Sequence, residues 1–413
     1  QRIPPASLMN SRLNSLTPLA EKFLAPFVAI LLATVLWLPS MHIFYRPAGG
    51  VGPHQGVSSQ ARLLAARHLR IWTEPALRER ELRKMQARNP EWDFMSRTLF
   101  VLSLCNMALR DPSYQEQACD ISDVIIENTL ALEHKKGMHH FLLGYAGRTG
   151  PWVMQPARSQ FIDGEIALMI AARRLVAEKD GYKSLLTHRI RLMTERMRKS
   201  PVLCAESYPD ECWLFCNAIS LAAIRLSDIL DGSDHSQFLS QWVRTAKDKL
   251  IDPKTRMLIS AYGVDGRPAP AGYSPEGTSI WLACHMLQLF DKTFASEQYH
   301  RAKKELGRSF FGFGYSREWP ESSPGEMDID SGPVLPVLNA SASASGLAIV
   351  AASAFDDWPY FSQLLSSLNL VGFPEVRKGQ LEYHASNPVG DAVLLYSLVL
   401  GPLFGEAQRR AAQ

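Results

Sequence analysis

The sequence predicts an all-α protein: an α/α toroid whose helices pair as inner and outer hairpins, with one N-terminal transmembrane helix. Three observations predict this fold. From about residue 89 onwards, apolar residues recur at the i, i+3, i+4 spacing of helices rather than alternating as in strands. Loops rich in Pro, Gly, Asp and aromatic residues separate these stretches. Near the N-terminus, one long apolar stretch carries no charge.

Composition narrows the function classes. The chain has 413 residues, 46% of them hydrophobic and 21% charged, so it is neither disordered nor fibrous. Lys and Arg number 44 against 41 Asp and Glu, and a net charge of +3 gives no electrostatic reason to expect nucleic acid as a partner. Six Cys exclude a small disulfide scaffold. A mean hydropathy of −0.09 excludes a many-pass transporter.

Residues 1–22 form an N-terminal tail, and residues 23–45, from Phe23 to Tyr45, are the predicted transmembrane anchor. At a rise of about 1.5 Å per residue, this stretch crosses a hydrocarbon core of about 30 Å. Trp37 and Tyr45 lie towards one end, where aromatic side chains favour the membrane interface. A signal peptide, a buried core helix and a hairpin that only dips into the membrane are the alternatives.

Flanking charges predict the orientation. Arg2, Arg12 and Lys22 precede the anchor, whereas Arg46 alone follows it closely. The positive-inside rule then leaves the N-terminus in the cytoplasm. In a bacterium this is a single-pass inner-membrane protein whose C-terminal domain is periplasmic.

Residues 46–90 are predicted as a linker and connector helix, and residues 91–408 as the toroid domain. A helical solenoid is the alternative, although the sequence shows no repeat of fixed period. A small loop hairpin is predicted near residues 257–266. The predicted helices of the domain span residues 93–110, 114–132, 161–178, 183–199, 212–230, 236–250, 277–294, 298–310, 341–354, 358–368 and 390–403.

The segment 204–217 is the first candidate site. Glu206 and Asp210 lie beside Tyr208 and Trp213, and carboxyl groups next to aromatic rings can act as acids. Alternatively, Asp210 only caps a helix. Cys216 and the neighbouring thiols are most simply core residues, and no metal site is expected because no His lies nearby.

Three further segments carry candidates. Asp328 and Asp330 alternate, so an extended backbone points both to one side, which suits acid/base work; a turn or a helix start is the alternative. The segment 271–281 carries three candidates next to a predicted helix: Tyr273, Glu276 and Trp281. Together they predict a platform in a cavity on which a substrate stacks. Glu276 at that helix start alternatively serves only the helix dipole.

Glu165 follows Gly164 on an apolar helical face, where an unpaired carboxylate is costly. It therefore either pairs with an Arg or faces a cavity. We expect Glu165, the 206–210 loop, Tyr273, Glu276 and the Asp328/Asp330 pair to converge at one rim of the ring. Crowded carboxylates repel one another, so at least one should hold a proton near neutral pH.

Several segments resemble the linalool dehydratase/isomerase family: residues 108–112, 201–217, 250–262 and 380–395. The resemblance covers most of residues 92–405. It implies an α/α barrel that needs no cofactor and acts on a terpene alcohol by acid/base chemistry. The family's apolar cavity often lies between subunits, which makes a homo-oligomer a further expectation. Within these segments, Tyr262 and Tyr383 join the candidate substrate-binding residues.

The sequence departs from the family pattern at specific positions. Glu165 stands where the family has a helix His after Gly. In an ungapped register, Ser207 matches the first site cysteine, Tyr208 matches the neighbouring Glu, and Cys216 matches the second cysteine. A local shift would instead bring Cys204 and Glu206 to the first two of these positions.

The leading hypothesis is therefore a cofactor-independent lyase or isomerase of a small alcohol. A glycosidase-like enzyme acting on a saccharide and a non-catalytic subunit of an envelope complex are the alternatives. The cavity lining separates them: Phe, Leu and Met favour a terpene-like substrate, Tyr and Trp beside paired carboxylates favour a sugar, and a plugged cavity favours the subunit.

Overall fold

The computed structural model describes residues 7–47, 56–147, 150–268, 275–325, 328–329 and 332–413, with side chains from residue 22 onwards except at 328–329. It is 66% helix. In chain order the helices are α1 (Ser7–Met41), α2 (Ser59–Thr73), α3 (Pro75–Arg88), α4 (Pro90–Arg110), α5 (Gln115–Lys136), α6 (Gln160–Val176), α7 (Tyr182–Met197), α8 (Leu214–Asp231), α9 (Ser236–Lys249), α10 (Gly277–Leu287), α11 (Lys292–Glu305), α12 (Ala342–Ala354), α13 (Trp358–Val371), α14 (Pro388–Val399) and α15 (Pro402–Ala411).

Short strands accompany the helices. They are β1 (Cys212–Trp213), β2 (Ala261–Tyr262), β3 (Gly307–Phe310), β4 (Phe313–Arg317), β5 (Asp328–Ile329), β6 (Gly332–Leu335), β7 (Ala340–Ser341), β8 (Pro374–Arg377) and β9 (Gln380–Tyr383). The antiparallel sheet β3-β4-β7-β6-β5 packs through β4 on α12 and α13. The predicted loop hairpin takes another form: Tyr262 pairs across the chain with Cys212, joining β2 to β1.

Six helices form a closed inner ring. The helices α4, α6, α8, α10, α12 and α14 pack each on the next, and α14 packs back on α4. The predicted α/α toroid is therefore confirmed. An inner helix is covered on all sides, so its sequence is apolar all round; every residue of α6 except Val176 is buried.

Outer helices need only one apolar face. In α9 the buried residues fall on one side at helical spacing, from Phe238 to Ala246. The helices α5, α7, α11 and α13 pack beside their inner neighbours in the same way. The connector predicted before residue 91 is two helices, and α2 packs on α14, α5 and β9 as a further outer helix.

The inner helices all run in one direction, which gives the ring two distinct rims. At their C-terminal ends, Arg110 of α4 donates hydrogen bonds to the carbonyl oxygens of Val399 (3.1 Å) and Leu400 (2.8 Å) after α14. At their N-terminal ends, Thr278 of α10 meets Ser343 of α12 (3.4 Å). We call these ends the C-terminal rim and the N-terminal rim.

α15 covers the C-terminal rim. The single helix predicted over residues 390–403 breaks instead at Gly401, whose φ of +120° suits glycine, and Pro402 starts α15. The Leu403 N–H donates to the Asn106 side chain (3.0 Å), and Phe404 stacks on His285 (centroids 4.5 Å apart). The interior of the ring is thus closed at this end.

One described helix is long and apolar enough to cross a membrane. It spans Lys22–Tyr45, with a mean hydropathy of 2.1 and none of its test window buried. Phe23, Ile30 and Leu36 are exposed, so the alternative of a buried core helix does not fit. Where this segment ends, Tyr45 accepts a hydrogen bond at its carbonyl oxygen from Asn369 of α13 (2.9 Å).

We predict that Gly277→Ala lowers stability. A Cβ on Gly277 would lie 2.7 Å from the Arg317 carbonyl oxygen and 3.0 Å from Ala344 Cβ, where β4 crosses the start of α10. Overpacking of this kind costs about 1–3 kcal/mol. The measurement is the free energy of unfolding by denaturant titration.

Gly346→Ala is the matched control. The same change within α12 meets only Val393, at 3.7 Å, so helix propensity should make it neutral or stabilising by up to about 1 kcal/mol. Equal stability losses in the two variants would contradict the close contact of β4 with α10.

Candidate active site

A narrow space lies inside the ring, between α4, α6, α8, α10 and α12. Its free volume is about 10 Å³, which is room for about one water molecule. Apart from Thr98 and Glu165, its lining is apolar. The residues are Met95, Thr98, Leu99, Leu102, Glu165, Leu168, Phe215, Ile219, Leu282, Met286 and Leu347.

Close packing of α6 on α8 places Glu165 in this cavity. A Cβ on Gly164 would lie 2.4 Å from Ser220 Oγ and 3.4 Å from the Cys216 carbonyl oxygen, so only glycine fits without a shift. Two residues before Glu165, Asp163 faces the other way and pairs with Arg158 and Arg189. Of the two alternatives for Glu165, an arginine partner or a place in the cavity, the structure therefore shows the second.

The Glu165 carboxyl group is held in its neutral form. Burial raises its pKa from 4.5 to about 8; the nearby Thr98 hydroxyl opposes this shift and the negative charge of Glu91 adds to it. Its Oε2 atom has no hydrogen-bond partner among the described residues. A protonated carboxyl group facing an apolar space is a Brønsted acid available to a bound molecule.

Cys216 lies beside Glu165. Burial raises the pKa of its thiol well above the usual value; the Ser207 hydroxyl opposes this, whereas the charge of Glu91 reinforces it. The thiol is therefore protonated near neutral pH, and a resting thiolate nucleophile is disfavoured.

A polar network lies beside the cavity. The Tyr208 hydroxyl donates to the Glu91 carboxylate and accepts a hydrogen bond from the Leu143 N–H (3.0 Å). Tyr145 stacks on Tyr208 with centroids 4.5 Å apart and donates to Glu211 (3.1 Å). Burial and the Glu91 charge raise the Tyr208 pKa, so this phenol stays neutral.

Other candidates of the segment 204–217 face elsewhere. Trp213 donates from its indole N–H to Glu211 (3.1 Å) and so belongs to the polar network. Glu206 is fully buried and accepts from the backbone N–H groups of Val153 (3.1 Å), Met154 (2.7 Å) and Asp210 (3.0 Å). It fixes a surface loop and does not line the cavity.

Asp210 accepts from the Val264 N–H (3.1 Å) and also lies outside the lining. Cys204 contacts Ser200 Oγ (3.3 Å). The residues of the ungapped register, Ser207 and Cys216, therefore lie together with Glu165, and Tyr208 contacts Glu91. The residues of the shifted register, Cys204 and Glu206, do not lie with Glu165. All six cysteines are buried free thiols.

A second pair of carboxyl groups lies where α10 begins. The Glu276 carboxylate accepts from Ser279 Oγ (2.7 Å), and Glu318 accepts from the Thr278 N–H (2.9 Å). Burial raises the Glu318 pKa, with the Ser341 hydroxyl and the Thr278 N–H opposing the shift. Neither carboxyl group lines the Glu165 cavity.

The remaining aromatic candidates lie outside the cavity lining. Trp281 donates to Ser316 Oγ (2.8 Å) and packs against Tyr299 of the outer helix α11. Tyr383 donates to Asn369 (2.9 Å) on α13. Tyr262 is buried against Cys204, Cys212 and Cys216, behind the cavity wall.

Part of the predicted site lies outside the described residues. Tyr273 and Asp330 fall in the undescribed segments, and of Asp328 only the backbone is described, paired with Pro333. Within the described residues, no group of three or more His, Cys, Asp or Glu is placed to hold a metal ion.

Sequence reasoning missed Glu91, Thr98 and Glu318. Glu91 is in the first turn of α4, two positions after the N-cap residue Asn89, where an acidic residue commonly serves only the helix dipole. A signal was nevertheless present, because acidic residues at the starts of inner helices all meet at one rim.

Two comparisons with known proteins give findings. The model of a family described as linalool dehydratase/isomerase matches residues 177–388. This span includes Ser207, Tyr208 and Cys216, whereas Glu165 precedes it. A solved GH76 alpha-mannanase of Bacteroides thetaiotaomicron is 11% identical, with a TM-score of 0.46 over 76% of this chain and 87% of that chain.

We predict that Glu165 makes stability depend on pH. The folded state holds this proton up to about pH 8, whereas the unfolded chain releases it near 4.5, so stability falls as pH rises between these values. Within that window the slope reaches about 1.4 kcal/mol per pH unit. Glu165→Gln lacks the titrating group, so its stability relative to wild type should rise with pH in denaturant titrations.

Glu206→Gln is the control for this comparison. It makes the same chemical change in a buried carboxylate that accepts three backbone hydrogen bonds, so stability should fall at both acidic and alkaline pH. A wild-type minus Glu165→Gln difference that stays constant with pH would show that Glu165 is not protonated in the folded protein.

Proposed function

Since the chain belongs to the linalool dehydratase/isomerase family, we propose that it is a cofactor-independent lyase or isomerase of an apolar alcohol. The observation that carries the proposal is Glu165, a neutral carboxyl group in a cavity lined by Leu, Met, Phe and Ile. Apolar walls suit a hydrocarbon skeleton, and the acid supplies the polar contact that a hydroxyl needs. Because the free volume is about 10 Å³, the proposal requires the lining side chains to move apart when the substrate binds.

The proposed chemistry begins with proton transfer. Glu165 donates its proton to the substrate hydroxyl, the carbon–oxygen bond breaks, and water leaves with the bonding electron pair. An allylic carbon skeleton stabilises the resulting cation by delocalisation. The apolar lining contains few nucleophilic side chains that could react with this cation.

Two outcomes regenerate the acid. If the Glu165 carboxylate removes a proton from a carbon next to the cation, a diene and water result, which is dehydration. If water adds at the other end of the allylic system and returns its proton to Glu165, an isomeric alcohol results. Neither outcome consumes a cofactor, and both restore the starting charge.

Neighbouring groups support this assignment. Burial keeps Glu165 protonated and the negative charge of Glu91 adds to this effect, while the Tyr208 hydroxyl donates a hydrogen bond to Glu91. Cys216 is a neutral thiol beside the carboxyl group but outside the cavity lining, so it adds no charge near Glu165. The carboxylates Glu206 and Asp210 take structural roles in this proposal.

The lining favours this proposal over a glycosidase. Sugar hydroxyls need several hydrogen-bonding partners, whereas Thr98 and Glu165 are the only polar side chains among the lining residues described. The free volume of about 10 Å³ matches the plugged cavity of a non-catalytic subunit. Against that alternative, such a subunit has no use for a buried acid, which lowers stability near neutral pH.

A membrane anchor is the second part of the proposal. The apolar helix Lys22–Tyr45 is exposed throughout its test window, and we assign it as a single span of a bacterial inner membrane with the toroid in the periplasm. A signal sequence of the same length and composition is the competing assignment.

We predict that the purified full chain converts linalool to a diene or to an isomeric primary alcohol, detected by gas chromatography. Glu165→Gln should lower kcat by roughly 100-fold or more, because general acid catalysis contributes at least that factor. Wild-type activity should also decline as pH rises through about 8, where Glu165 loses its proton.

Tyr383→Phe is the matched control, since this hydroxyl bonds only Asn369 and Gln60 on the outer surface of the ring. It should retain wild-type kcat. Undiminished activity of Glu165→Gln would overturn the catalytic assignment, and inactivity of wild type on several apolar alcohols would overturn the substrate class.

A further inference from the structure

An apolar patch surrounds the point where the N-terminal apolar helix meets the toroid. Large apolar side chains are exposed to solvent there, including Phe44 (77% exposed), Phe373 (65%) and Phe310 (63%). Single exposed apolar residues are ordinary, whereas a contiguous set marks an interaction surface. We call the set Phe44, Phe310, Phe311, Val371, Phe373 and Val376 the collar.

Three segments build the collar. The β3–β4 turn carries Phe310 and Phe311, the end of α13 carries Val371 and Phe373, and β8 carries Val376. β4 runs antiparallel to α13: Tyr360 donates to the Tyr315 carbonyl oxygen (2.8 Å), and Gly314 lies against Gln363, further along α13. The β3–β4 turn therefore reaches the C-terminal end of α13.

The segment that follows the apolar helix is fixed at the same place. Asn369 of α13 bonds the Tyr45 carbonyl oxygen (2.9 Å), and the His42 ring covers Gly312 in the β3–β4 turn. Phe313 meets the rings of both His42 and Tyr45, with centroids 6.3 and 6.2 Å apart. The apolar helix thus leaves the toroid from within the collar rather than from a free linker.

The collar lies at the N-terminal rim. α13 is an outer helix, and the short hairpin β8–β9 joins its end to the start of the inner helix α14. α15 covers the opposite, C-terminal rim. The collar therefore lies at the end of the ring that α15 does not cover.

We infer that the collar rests in the lipid surface around the anchor, so that the N-terminal rim faces the membrane. The argument is continuity: a 24-residue apolar helix emerges from the patch, and a bilayer that receives the helix also meets the side chains around it. Exposed cations at the edge, Arg46, Arg377 and Lys378, suit anionic lipid headgroups.

This placement also indicates that the substrate comes from the lipid bilayer. An apolar alcohol concentrates in the bilayer, and a rim that faces lipid meets it without a passage through water. The lipid contact itself rests on the proposed anchor, whereas the route for the substrate rests in addition on the proposed catalytic function.

The test is the depth of single labels in the full chain reconstituted into nanodiscs. All six native cysteines are buried, so an introduced surface cysteine can be labelled selectively with an environment-sensitive fluorophore. Phe310→Cys and Val371→Cys report on the collar. Leu185→Cys on α7, an exposed apolar position towards the C-terminal rim, is the matched control.

We expect brominated lipids to quench the labels at 310 and 371 several-fold more than the label at 185. Equal, weak quenching at all three positions would overturn the inference, because the collar would then lie in water. Shielded collar labels that lipid does not quench would also overturn it and would indicate that a second copy of the chain covers the patch. A chain that does not enter nanodiscs would overturn the anchor too, independently of any activity result.

Discussion

The desolvation of one carboxyl group is the constraint on which the site depends. Glu165 enters the ring because Gly164 lets α6 approach α8 closely, and the apolar cavity then raises its pKa to about 8. Its neighbour Asp163 lies on the other face of the same helix and pairs with two arginines. Two carboxyl groups two residues apart thus have opposite surroundings, one apolar and one cationic.

Ring closure provides the surroundings that this acid needs. Six inner helices running in one direction bring their N-terminal ends to one rim, and α15 seals the other. Helix N-termini favour negative charge, and Glu91 and Glu276 lie at such positions. Glu165 is deeper and more completely buried, so loss of solvation outweighs that field and its proton stays.

The sequence was sufficient for the toroid because inner helices are apolar all round and outer helices have one apolar face. It also singled out Glu165, Ser207, Tyr208 and Cys216. The sequence did not predict that Trp281 and Tyr383 lie outside the cavity, because in a helix or strand with two apolar faces it does not reveal which face meets the cavity. The structural role of Glu206 could not be predicted either, because its hydrogen-bond donors, the N–H groups of Val153 and Met154, come from a loop distant in sequence.

The most direct test of the central claim is an infrared difference spectrum of the wild-type protein minus Glu165→Gln near neutral pH. A carbonyl stretch of a protonated carboxylic acid, present only in wild type and lost as pH rises through about 8, is the predicted result. A spectrum in which wild type differs from the variant only in carboxylate bands would contradict the account, because Glu165 would then be ionised and unable to act as the acid.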